Sequence, residues 1–130
     1  MAFEISNYAV KITRVAGADL SAKQYHFVEM DSSGLVTACN GAGDLPIGVL
    51  QNAPLAGQEA EVLVVGGTKV VAGEAVTTAS IIGTSATGTA VAKDTTTNYR
   101  VGRVIDATGA ADGVTVSAII NCASPTLQSA

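Results

Sequence analysis

The sequence predicts an all-β fold, a small pseudo-symmetric β-barrel, on three observations. Short alternating runs of β-branched residues recur along the chain, each closed by a Gly, Asn, Asp or Ser turn. No segment carries the sustained 3.6-residue periodicity of a long amphipathic helix. The second half of the chain also repeats the layout of the first. At 130 residues the chain fits one domain that can bury a core of its own.

Residues 1–17 read as an extended N-terminal arm or a first strand. Phe3, Ile5 and Tyr8 lead into a strand-like alternation at Val10, Ile12 and Val15. "ADLSAKQYHF" has room for one helical turn. "YHFVEMD" alternates and stops at a turn, Asp31 to Gly34. "LVTAC" resumes and "NGAGD" breaks it. "PIGVLQNA" and "EAEVLVVGG" are the next strands. In the second of these, alternation puts Val62 and Val64 on one face and Glu61, Leu63 and Val65 on the other. "TKVVAGEAV" reads as a short strand, a glycine turn and the start of another strand. Thr78 to Gly88 reads as an extended loop. "TAVAKD", "YRVGRVIDA" and "GVTVSAIINC" complete a barrel domain over 18–123, and 124–130 is a C-terminal tail.

The repeat sets Gly34 on Gly88, an offset of 54 without gaps. Gly34/Gly88, Ala38/Ala92, Gly48/Gly102, Ala53/Ala107, Ala56/Ala110 and Val62/Val116 are then identical, and Ile47/Val101 and Leu50/Val104 are conservative. Upstream, 21–28 align with 71–78 at an offset of 50. Two glycines at matching strand positions, Gly48 and Gly102, mark a close crossing of strands or a bulge.

Charge and motif content exclude most chemistry. The net charge is −4 and the seven basic residues are scattered, so no stripe exists to neutralise a nucleic-acid backbone. The longest apolar run is too short to cross a membrane as a helix. The N-terminus has neither a charged n-region nor an apolar h-region, so no secretory signal is expected. Cys39 and Cys122 are then expected to be reduced and buried. "GDLPIG" has the glycine spacing of a phosphate loop, but Val49 and Leu50 stand where Lys and Ser/Thr are required. "GTSATG" is one residue too long for a nucleophile elbow. His26 is the one histidine and has no readable triad partners. Asp31, Asp44 and Asp106 stand near turn residues and read as Asx turns. No metal-ligand cluster is visible, so no catalytic, metal or cofactor site is expected. "GTKVVAGEAV" is similar to the turn phrase of biotinyl and lipoyl carriers, but neither Lys69 nor Lys93 has the flanks those carriers require.

The order of phrases is itself distinctive. Gly34 with Val36, then Ile47, Gly48 and Val49, then Ala56 and Gly57 with Val62, then Val71, Ala72 and Gly73 with Val76 follow one another over 21–120. In this order the chain resembles the capsid decoration, or cement, proteins of tailed bacteriophages. The resemblance implies a small β-barrel or β-tulip with no catalytic site. It implies a virion protein made in the host cytoplasm and bound to the outer head surface, which stabilises contacts between copies of the major capsid protein and itself assembles as a trimer. The arm is the expected contact, through Phe3, Ile5, Tyr8, Val10 and Ile12, since an extended segment can add to an exposed sheet edge. A competing structural reading is a phage tail or head-fibre attachment domain, or a glycan-binding β domain. Two Phe, three Tyr and no Trp supply few platforms for stacking on sugars.

Overall fold

The structure, a computed structural model, describes residues 9–93, 98–106 and 111–127. It is all-β, and no helix occurs among the described residues. The strands in chain order are β1 (Val10–Val15), β2 (Phe27–Met30), β3 (Val36–Ala38), β4 (Gly48–Leu50), β5 (Glu59–Val71), β6 (Ile81–Thr84), β7 (Ala90–Ala92), β8 (Tyr99–Arg100), β9 (Gly102–Val104), β10 (Thr115–Asn121) and β11 (Thr126–Leu127).

The repeat becomes two small rings that share β5. In the first, β1 pairs with the N-terminal half of β5, β5 with β4, β4 with β2, and β2 with β3. A parallel bridge from Ala16 to Val36 returns β3 to the end of β1 and closes the ring. In the second, the C-terminal half of β5 pairs with β10, β10 with β9, β9 with β6, and β6 with β7. A parallel bridge from Ala72 to Ala90 closes it in the same way. Matching backbone bonds confirm the correspondence. Gly17 N–H donates to Val36 O and Gly73 N–H to Ala90 O, both at 2.8 Å. Gly57 N–H donates to Ala16 O and Gly113 N–H to Ala72 O.

Each ring is filled by the inward residues of its strands. Ala16, Leu20, Val28, Val36, Leu50, Ala60 and Val62 form the first core, with Ile12 and Ile47 packed against it. Val70, Ala72, Val76, Ile82, Ala90, Val104, Val116 and Ala118 belong to the second. Phe27, Val49 and Leu63 come from strands of the first ring yet join the second core, so they tie the rings together. These side chains are Val, Ala, Ile and Leu with a single Phe, as the scarcity of aromatics requires. At about 25 cal/mol per Å² of apolar area, many small contributions must add up where no large ring dominates.

The glycines sit where the repeat demanded. Gly34 and Gly88 hold the same turn at φ of 80° and 85°, a conformation that costs any other L-residue. A Cβ on Gly48 would strike the carbonyl of Leu63, and one on Gly102 would lie 2.6 Å from that of Ile119. Both glycines therefore mark close strand crossings.

The expected layout needs six corrections. Residues 81–84 are not loop but β6, an interior strand of the sheet. β5 runs unbroken through Gly66 and Gly67, so "EAEVLVVGG" and "TKVV" are one strand. Its alternation breaks near Val64, where the register against β1 jumps from Val65 to Leu63. A bulge there sends Val62 to the first core and Leu63 and Val64 to the second. "YRVGRV" is interrupted at Val101, and its first part, β8, leaves the large sheet to pair with β11. Residues 18–26 form successive turns, not a helical turn. Finally, the repeat carries an offset of 54 over β2, β3 and β4 but 56 elsewhere, as the equivalent bonds of Gly17/Gly73 and Gly57/Gly113 show. Val62 therefore corresponds to Ala118, not Val116, and the alignment of 21–28 with 71–78 falls away. Ala107 and Ala110 lie outside the described residues.

Candidate interaction surfaces

The N-terminal strand was the expected contact. Phe3, Ile5 and Tyr8 lie outside the described residues. Val10 is 54 % exposed at the start of β1, and Lys11, Thr13, Arg14 and Val15 are exposed with it. Ile12 points the other way and packs against the first core. Among the described residues β1 pairs with β5 along one edge, and its other edge carries only the bridge from Ala16 to Val36, which leaves most of it open to an added strand. Lys11 and Glu61 form the one ion pair among the described residues, at 3.1 Å and half exposed, which contributes little.

The junction between the rings is built from the segment before β2. Tyr25 is the one non-glycine residue with positive φ among those described, at 64°. Its N–H donates to Leu50 O at 2.7 Å, and its carbonyl accepts Val71 N–H at 3.0 Å. Lys69 Nζ lies 5.8 Å from the centre of its ring. Lys23 Nζ donates to Thr87 O. Lys93 crosses the boundary from the other side. Its side chain is buried, and Nζ donates to Ala42 O at 3.1 Å. Burial pushes its pKa down, against the pull of Glu74. A carrier lysine must stand at a hairpin tip; Lys69 lies within β5 and Lys93 is buried, so neither fits that role.

One cluster was missed. Donor atoms of Glu29, Cys39 and Asp44 lie within 4.8 Å of one another, which corrects the expectation that no such cluster exists. Asp44 Oδ2 accepts the N–H groups of Asn40 and Gly41, and this anchoring turns its carboxylate toward Glu29. Burial, then the hydrogen bond and charge of Asp44, push the Glu29 carboxyl up. Burial pushes the Cys39 thiol up to about 12, although a hydrogen bond with Thr84 opposes the shift. Burial likewise lifts Cys122 to about 12. Both cysteines are unbridged and buried, as expected. Thiols held protonated in this way are poor nucleophiles and poor ligands at neutral pH. The other aspartates divide. Asp31 Oδ1 accepts from Ser33 and Leu35 N–H as an Asx turn, whereas Asp106 Oδ2 reaches across to Ser117 N–H. His26 is half-buried, its Nδ1 lies 3.1 Å from Gln24 O, and burial pushes its pKa down.

Two of the surface grooves among the described residues bear on binding. The larger, about 460 Å³, lies on the second ring and is lined by Ile81, Arg103, Ile105 and Ile119 together with Arg100 and Asn121. Arg103 Nε donates to Thr78 O and Arg100 Nε to Lys93 O, so both guanidinium groups are held in place by backbone carbonyls. The smaller, about 310 Å³, lies at the open end of the first ring between Val15, Gly34, Leu35 and Glu59.

No protein-family model matches the chain, and no curated protein matches it. Among solved structures it is similar to the head fiber gp8.5 N base of bacteriophage phi29, with a TM-score of 0.65 and 19% sequence identity over 88% of this chain and 95% of that one. At that identity the likeness is one of fold.

Proposed function

We propose that the protein is a structural component of a phage virion, without catalytic activity, that sits on the outer surface of the head and stabilises contacts between capsid subunits as a self-associating, trimeric cement. The observation that carries this reading is the fold likeness to a head-fibre base across nearly its whole length. The geometry is consistent with it. The surface offers an open strand edge at β1 and grooves of modest size, and the thiols and carboxylates described above lack the arrangement of a nucleophile with its base. Many weakly held copies acting on one shell supply a large total stabilisation.

A second reading is favoured by the neighbour's own description: a base domain that attaches a fibre to the head. Both readings require head binding and differ in what binding does. Purified protein is incubated with undecorated heads and sedimented, and the heads are then heated. Cement enters the head pellet and raises the temperature at which heads release their contents. A fibre base enters the pellet and leaves that temperature unchanged. Protein that stays in the supernatant defeats both.

A further inference from the structure

The two rings of one chain meet through a row of side chains whose counterpart is left open. In the first ring Phe27, Val49 and Leu63 are adjacent across β2, β4 and β5, and all three are buried against the second ring. The same registers in the second ring align Ile81, Arg103 and Ile119 across β6, β9 and β10. That row lines the 460 Å³ groove, and Ile119 is 46% exposed.

The other half of the contact is duplicated as well. Within the chain, the cleft between Val71 and Gly88 holds residues 25–27. Val71 N–H donates to Tyr25 O, and Gly88 O accepts Phe27 N–H. The corresponding residues of the first ring are Val15 and Gly34, and they border the 310 Å³ groove. Val15 is 43% exposed there. Among the described residues, one internal interface thus has two uncovered halves, one at each end of the chain's pair of rings. Repeats of this kind bury a continuous core by stacking, and an end face needs a cap or a partner.

We propose that copies of the chain associate head to tail through these halves, with residues 79–81 and the row Ile81, Arg103 and Ile119 of one copy seated in the Val15–Gly34 cleft of the next. The charges fit a junction between copies. Where the internal contact has Val49, the open row has Arg103, and Arg100 lines the same groove. Where Thr115 pairs with Val71 at the internal contact, Glu59 pairs with Val15 at the open cleft, with Arg14 beside it. Neutral positions inside the chain become opposite charges between chains, which sets the order of joining. The contact is heterologous, because each copy offers two different surfaces.

This inference names the surface of the self-association proposed above but rests on the repeat, and its test uses no heads. Val15→Asp blocks the cleft and Ile119→Asp blocks the row. Both sites are exposed in the single chain, and circular dichroism and thermal melting establish that each variant is folded. Arg103→Glu serves as the row variant if Ile119→Asp melts early. In analytical ultracentrifugation the wild type is expected to form an oligomer and each variant alone to be monomeric. An equimolar mixture of the two variants should give a 1:1 dimer and nothing larger, since one intact cleft and one intact row remain. A wild type that is monomeric at its highest soluble concentration, a folded variant that assembles like the wild type, or a mixture that stays monomeric overturns the proposal. Head co-sedimentation of the same proteins reads the other proposal separately.

Discussion

The backbone N–H of Phe27 donates to the carbonyl oxygen of Gly88 at 2.7 Å, a bond from the first ring to the second. The turn that supplies this oxygen has a copy at Gly34 with nearly the same φ, where a Cβ would meet no atom of the described residues within 4 Å. One local conformation is therefore used once as a joint and once as a free end.

That pair allows backbone strain to be separated from packing. Gly34→Ala meets no atom within 4 Å and costs the left-handed backbone penalty alone, ~1 kcal/mol. Gly88→Ala adds a Cβ 2.8 Å from Phe27 O and 3.3 Å from His26 Cβ. Overpacking of this kind adds about 1–3 kcal/mol. Urea melts of the two variants should place Gly88→Ala clearly below Gly34→Ala. Equal midpoints would mean that the ring junction yields to the added methyl.

Glu29 gives a pH signature. Its carboxyl is raised in the folded chain, by burial and then by Asp44, from an ordinary value of 4.5. Between those two values the folded chain holds a proton that the unfolded chain has lost. Stability therefore falls as pH rises through this window. Glu29→Gln removes the effect. The variant should be more stable than wild type at pH 7, with the difference shrinking as pH falls through 4.5 and vanishing below it, as both states become protonated. A difference that is constant with pH would assign the gain to packing.

Cys39 and Cys122 should not react with a thiol reagent in the native protein at neutral pH, because both are buried and held near 12. In denaturant without reductant, two thiols per chain should appear at once. Finding none would mean a bridge that the structure does not contain.

Deleting Met1 to Tyr8 removes Phe3, Ile5 and Tyr8 but none of the paired strand Val10–Val15. The truncated chain should keep its β spectrum and melt within a few degrees of the full chain. Each lost apolar contact at an interface is worth on the order of 1.5–3 kcal/mol. Binding to heads should therefore weaken roughly tenfold or more. A truncated chain that unfolds would make those residues part of the core. One that binds at full strength would move the head contact to other surfaces.

The fold was legible where geometry restricts residue choice. Gly34, Gly48, Gly88 and Gly102 are required by a left-handed turn or a carbonyl in the way, so they appear in the sequence at matching places. The alternation of Val and Ile likewise gave most strands. β6 escaped because "IIGT" is short and flanked by Ser and Thr, which also compose loops. The repeat register slipped because the halves exchange two residues of length. The first is longer between Gly17 and Phe27, and the second between Val104 and Gly113. The bulge at Val64 left no trace in a run of Val and Leu that could face either way. The approach of Glu29 to Asp44 depends on a loop anchored by the backbone of Asn40 and Gly41, and pattern reading does not reach that far. The row Ile81, Arg103 and Ile119 was hidden because exposure belongs to the assembled sheet, not to any one strand.

β5 belongs to both rings, and this sets a schedule for the chain as it leaves the ribosome. Its first half finds β1 and β4 already made. Its second half must wait for β10, whose last residue, Asn121, pairs with Val65 some fifty residues later. At ordinary rates of synthesis that delay is on the order of 3–10 s. Throughout it, Gly66 to Val71 is a naked strand edge beside a completed ring. Two glycines and Lys69 make that edge a poor template for a stranger. The glycine pair in the middle of the strand is thus expected to limit mispairing of the nascent protein as well as to shape the finished one.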